Sequence, residues 1–152
     1  MNLIKVTDRK TERMFLETAR IINKNDKTWV CPLDKDIKGV FDHNINTYFR
    51  HGTAERWILA DDSGKPAGRI AAFIDFNLSD SYEQPTGGIG FFECVNDKDA
   101  AFLLFDTAKE WLKSKGMEAM DGPINFGETD KYWGLLVNGF THPSFDVPYN
   151  PP

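Results

Sequence analysis

Residues 97–116 spell a helix marked at both ends, and that helix limits what can surround it. Asn96 or Asp97 supplies the N-cap, and Asp97 and Asp99 set negative charge on the positive end of the helix dipole. Lys113 and Lys115 fall in the last turn, and Gly116 provides the left-handed residue that ends it. Ala101, Leu104, Phe105, Ala108, Trp111 and Leu112 recur at three- and four-residue steps, giving one broad apolar stripe, while Asp106, Lys109 and Glu110 lie elsewhere on the surface. A stripe that wide needs a sheet beneath it. The flanks offer one: residues 89–95 are an aromatic and β-branched run, and residues 117–122 read as a second strand. A strand, a crossover helix and a strand of this length predict a right-handed parallel unit, with any ligand at its carboxyl edge.

The rest of the chain supplies partners for that unit. Residues 3–6 read as a first strand, with Thr7 or Asp8 capping a helix over residues 11–22. Met14, Phe15, Thr18, Ala19, Ile21 and Ile22 share one side of that helix, opposite Arg13, Glu17 and Arg20. Pro32 keeps Cys31 extended, and Asp34 or Asp36 caps a short helix through Ile37, Val40 and Phe41. Residues 43–51 have no clean period and read as irregular or one helical turn. Residues 55–61 and 65–76, joined by Asp61-Asp62-Ser63-Gly64, predict an antiparallel hairpin. Residues 77–88, rich in Ser, Asp, Glu, Gln, Pro and Gly, read as a surface connection. Beyond Asn125 the pattern is weaker, with one or two helical turns over residues 132–137 and a last strand over residues 144–148.

The chain has 152 residues, 41% hydrophobic and 13% aromatic, which is enough for one domain with a substantial core. A formal net charge of −5, with Lys and Arg scattered, argues against nucleic acid and anionic lipid as partners. The N-terminal segment lacks the apolar core of a signal peptide, no run approaches a membrane span, and two cysteines far apart fit a cytoplasmic protein.

Glu93 is the candidate catalytic residue. A carboxylate in mid-strand, between Phe92 and Cys94, can take a proton from an amine once burial favours its neutral form; its other placements are in solvent or paired with Arg69 across the sheet. Asn125 lies just past the parallel strand and is a ligand contact by position. Tyr132, with Trp133, and Tyr149 either shape a substrate pocket or plug the core. His43, His51 and His142 have no metal-ligand spacing, so no metal site is expected. The serines lack a nucleophile elbow, and Gly87-Gly88-Ile89-Gly90 precedes a strand, unlike a phosphate loop.

The element order, together with G-R-I-A-A-F-I-D, G-F-F-E-C, A-K-E-W-L-K-S-K-G-M-E-A-M-D-G-P-I-N-F, G-L-L-V-N-G-F and P-Y-N-P-P, resembles the GNAT acyltransferase superfamily, and within it a group of bacterial GNAT-like proteins. The resemblance implies an α/β fold, a mixed central sheet with helices on both faces, as a single domain that stops short of the family's last helix and strands. It implies transfer of an acyl group from acetyl-CoA or another acyl-CoA to an amine. The donor site would comprise Phe91, Phe92, Cys94, Val95, Asn96 and Lys98, with the strand offering backbone groups to the pantetheine arm and the helix start holding the pyrophosphate. The turn Asn96-Asp97-Lys98-Asp99-Ala100 departs from the family's glycine-rich phosphate loop: it has no glycine, and its two carboxylates repel a second negative group. That departure keeps open a non-catalytic module of the same fold, binding a small-molecule ligand or a partner chain. Sheet edges left open at a missing terminus would be covered by self-association as a homodimer.

Overall fold

The computed structural model describes residues 1–127 together with 138, 139 and 141. Its core is a five-stranded mixed sheet in the order β1-β2-β3-β4-β5, comprising β1 (Asn2–Lys5), β2 (Gly52–Ala60), β3 (Pro66–Asp75), β4 (Thr86–Cys94) and β5 (Ala119–Asp121). The first four strands pair antiparallel, and β4 and β5 pair parallel. The crossover between β4 and β5 is α4 (Lys98–Ser114), as its capping pattern predicts. Asp97 is the N-cap, accepting a hydrogen bond from the Ala100 N–H at 2.9 Å. At the other end Gly116, at φ +87°, allows the Gly116 N–H to reach the Lys113 carbonyl and the Met117 N–H to reach the Leu112 carbonyl, at 3.0 and 3.1 Å.

Two layers of side chains cover the sheet. On one face α4 lays Ala100, Leu104, Ala108 and Leu112 over Trp57, Leu59, Ile70, Ala72, Ile74 and Ile89, with Phe105 and Trp111 at the rim. The buried member at the helix start is Ala100, where the sequence pattern pointed to Ala101, because the stripe winds slightly around a 17-residue helix. On the other face α1 (Arg9–Ile22) and α2 (Asp34–Phe41) pack Phe15, Leu16 and Ile37 against Val6, Ile58 and Ala71. Asp8 caps α1 through a reciprocal pair with Thr11. The cap of α2 is Leu33, with no side-chain bond, so the expected capping by Asp34 or Asp36 is corrected: both lie inside the first turn, where Asp34 is drawn to Arg20 at 2.5 Å.

The β2–β3 hairpin forms as expected, and the indeterminate stretch before it contains one 3₁₀ turn, Thr47–Arg50. The connection expected over residues 77–88 is shorter than its composition suggests. A single turn, α3 (Phe76–Ser79), follows β3, and β4 has already begun at Thr86. Its glycines are there for clearance: a Cβ on Gly87 would lie 2.4 Å from Leu112 of α4, and one on Gly88 2.5 Å from both Phe73 and Ile124. At the far edge β1 is four residues long and ends in Lys5, a short charged edge that discourages further pairing.

Candidate functional site

The distinctive local geometry lies in the second half of β4. Pairing with β3 runs Gly88 to Phe73, Ile89 to Ala72 and Gly90 to Ala71, then resumes at Glu93 opposite Arg69, so Ile70 faces two residues, Phe91 and Phe92. This is a β-bulge, and Phe91 occupies it at φ +52°, a left-handed conformation costing a non-glycine residue on the order of 1–3 kcal/mol. The extra residue sorts the side chains that follow. Phe92 and Cys94 pack toward α4, while Phe91 turns to the other face, its ring centroid 5.1 Å from that of Phe41 and 6.2 Å from that of Phe15.

On that second face the candidate base meets its partner. Glu93, with 12% of its side chain exposed, accepts a hydrogen bond through Oε2 from Nε of Arg69, whose side chain is only 2% exposed. The pairing across the sheet that the sequence allowed is therefore present, and it leaves Oε1 of Glu93 outside the bond. The same guanidinium donates through Nη1 to the Phe15 carbonyl of α1 at 2.9 Å and lies 4.7 Å from the Phe15 ring centroid. Arg56, on the neighbouring strand, lies 4.1 Å from the Phe41 ring centroid and 3.9 Å from Glu12; burial pushes its guanidinium below the ordinary value, with Glu12 and Glu55 opposing.

The other edge of β4 opens as the bulge is reached. Strand β5 pairs only with Thr86, Gly87 and Gly88. The chain then crosses β4 directly, the Ile124 N–H donating to the Ile89 carbonyl at 2.9 Å, over Gly90, whose hydrogen stands where a Cβ would lie 2.0 Å from the Ile124 carbonyl oxygen. Among the described residues nothing pairs with the β5 side of β4 beyond that point. The β5-side edge of β4 is thus left unpaired among the described residues from the bulge onward, with Ile124 and Asn125 next to it in the chain path. Asn125 uses its Oδ1 to accept the Phe126 N–H at 2.8 Å.

The helix start beyond β4 is a poor phosphate cradle. Asp97 already fills one of the free N–H groups, Asp99 adds charge in the first turn, and the Lys98 ammonium lies 5.3 Å from the Phe102 ring centroid on its own helix. The thiol of Cys94 is pushed up to about 11, first by burial and then by Asp97. It is thus a protonated packing group at neutral pH. Iodoacetamide at pH 8 should label the exposed Cys31 and spare Cys94, which becomes reactive only as pH nears the raised value; equal labelling of both by mass spectrometry would contradict this.

Sequence reasoning missed a second polar cluster at the start of β2. Nδ1 of His51 lies 2.7 Å from Oδ1 of Asp75, and the Tyr48 ring centroid is 5.4 Å from that of His51. Beside it Phe126, 2% exposed, packs against Tyr48, Phe49 and Phe73, and its carbonyl accepts from Asn46 at 2.9 Å. His51 and Asp75 are far apart in sequence, and His51 fell in the stretch without a clean period just before the predicted hairpin, whose open end brings the two together. A polar groove of about 500 Å³ between α1 and α2 is lined by residues including Glu12, Arg13, Asp34 and Lys38. Tyr132 and Tyr149 lie outside the described residues. The structure therefore brings Phe91, Phe92, Glu93 and Cys94 to one bulged strand, places Val95, Asn96 and Lys98 on the turn and helix that follow it, and sets Asn125 directly after Ile124, which is bonded to the Ile89 carbonyl of the same strand.

No family model matches the chain. It is similar to a protein named bacterial ceramide synthase from Caulobacter vibrioides, 30% identical over 136 residues that cover 86% of this chain and 34% of that protein. It is also similar to protein YghO of Escherichia coli K12, 28% identical over 141 residues covering 92% and 35%. The chain spans about a third of the length of these curated relatives. Among solved structures it is similar to a GNAT-family acetyltransferase from Staphylococcus aureus Mu50, with TM-score 0.52, 14% identity, and 82% and 74% of the two chains covered. An acetyltransferase from Clostridium acetobutylicum solved with acetyl-CoA gives 0.54, 14%, 82% and 80%. The enzyme AAC(6')-Iy, solved with a CoA-containing bisubstrate analogue, gives 0.54, 12%, 82% and 79%. The fold is that of the GNAT acetyltransferases. No helix among the described residues is long and apolar enough to cross a membrane.

Proposed function

We propose that this chain forms the donor side of an acyltransferase that moves an acyl group from a thioester to an amine. The observation that carries the reading is the bulge at Phe91 and Phe92 beside an edge of β4 that β5 does not cover. Amide groups of a pantetheine arm match such an edge, since an extended chain can add to it by backbone hydrogen bonds. In the reaction the amine nitrogen bonds to the thioester carbonyl carbon, the C–S bond breaks, and the sulfur leaves as a thiol after taking up the proton the amine gives away. Glu93, through its free Oε1, is the group that receives that proton in passage, and Asn125 faces the acceptor.

The similarity to a protein named bacterial ceramide synthase supports a lipid amine as the acceptor class. An acyl-CoA fits the donor side in its thioester arm, and its pyrophosphate does not fit the α4 start, where Asp97 and Asp99 stand. That misfit favours the second reading, a binding module of the same fold without catalysis.

Calorimetric titration with coenzyme A and palmitoyl-CoA separates the two. Acyl transfer predicts saturable binding of palmitoyl-CoA. Asp97→Asn, which keeps a capping oxygen and removes a charge, should tighten binding about two- to fivefold if phosphates approach the helix. Thiol release from palmitoyl-CoA in the presence of sphinganine then completes the test. Silence in both measurements leaves the module reading.

A further inference from the structure

We infer that Arg69 is a positioning residue for the candidate donor site, holding the bulge of β4 in its left-handed form; as a statement about catalysis this rests on the acyl-transfer reading. The residue stands on β3 at the point where the ladder resumes after the bulge. From there one planar group reaches two elements at once: Nε to Glu93 on β4, Nη1 to the Phe15 carbonyl on α1, and the guanidinium face to the rings of Phe15 and Phe91, with centroids at 4.7 and 6.0 Å. A fork of fixed N–H directions can do this, and an ammonium cannot.

The alternative it excludes is specific. Were β4 to return to one-to-one pairing, Phe92, Glu93 and Cys94 would each move one place and exchange faces. Glu93 would then enter the apolar layer under α4, and Phe92 would leave its stacking with Phe105, whose centroid is 4.4 Å away. Arg69 ties Glu93 to the α1 face and so keeps the extra residue in the strand. Helix α1 and the bulge, already in contact through the Phe15 and Phe91 rings, are thus also hydrogen-bonded to one common side chain.

The test uses Arg69→Lys in the full chain with two readouts. The backbone carbon shifts of Phe91 separate a left-handed residue from an extended one, and they should move toward extended values in the variant while those of α4 stay unchanged. In thiol release with palmitoyl-CoA and sphinganine, kcat should fall about 100-fold with KM for the thioester within threefold, the pattern of a misplaced reacting group. Left-handed shifts retained at Phe91, or changes spread evenly over the sheet, would overturn the inference. So would an unchanged kcat. If Arg69→Lys does not fold, the shifts are read in Glu93→Gln, which weakens the same tether and leaves the bond to Phe15; unmoved shifts there also overturn it. A parent protein that releases no thiol removes the acyl-transfer reading and the catalytic part of the inference, while the Phe91 shifts still decide whether Arg69 holds the bulge.

Discussion

Gly90→Ala should be among the most damaging single-methyl additions this chain can suffer. The new Cβ would lie 2.0 Å from the Ile124 carbonyl oxygen, a backbone atom that the Ile124 N–H bond to Ile89 holds against β4. Neither side can yield by turning a rotamer. The expected loss is at or above the upper end of the range of about 1–3 kcal/mol seen for overpacked sites. Gly88→Ala is the control: its nearest neighbours, the end of the Ile124 side chain and the Phe73 ring at 2.5 Å, are side-chain atoms that can shift by rotation, at a cost for the ring, where a backbone carbonyl cannot. Denaturant unfolding should therefore rank Gly90→Ala well below Gly88→Ala in stability. Equal losses would mean that the crossing of residues 122–125 over β4 is not as close as described.

The contrast between these glycines shows where sequence reasoning reached and where it stopped. Local periodic features were legible: the α4 stripe, its Asp97 cap and Gly116 stop, the hairpin, and the parallel crossover all follow from residues within one element. Gly87, Gly88 and Gly90, read as leading into a strand, lie in the first half of β4, and the reason for glycine there was hidden because it lies elsewhere, in Leu112 and Ile124 coming down onto β4. Phe91 gave no warning of its conformation, because phenylalanine is a poor left-handed residue and only its surroundings hold it there. The partner of Glu93 was legible as an alternative, since two strands in a hairpin-like meander can bring position 69 opposite 93. The degree of Arg69 burial and its reach to Phe15 were not, because α1 lies 54 residues earlier. Phe126 looks like loop and is core for the same reason: its contacts are with Tyr48, Phe49 and Phe73.

Arg69→Met should cost about 3–5 kcal/mol, because it leaves the Glu93 carboxylate nearly buried without its cation. For a chain of this size that corresponds to a melting temperature lower by roughly 6–20 °C. Removing both charges in Arg69→Met/Glu93→Leu should recover most of the loss, since a buried ion pair replaced by apolar groups of similar volume is often neutral or better. The measurement is a double-mutant cycle in denaturant, completed by Glu93→Leu alone, and a coupling below about 0.5 kcal/mol would show that the two side chains do not depend on each other. Recovery in the double variant has a consequence for function. If apolar residues serve the fold as well as the ion pair does, stability alone gives no reason for a guanidinium and a carboxylate at this depth. What the pair does that Met and Leu cannot is direct one fork at Glu93, the Phe15 carbonyl and the Phe91 ring together, and so keep a strained residue beside the edge of β4 that β5 leaves unpaired.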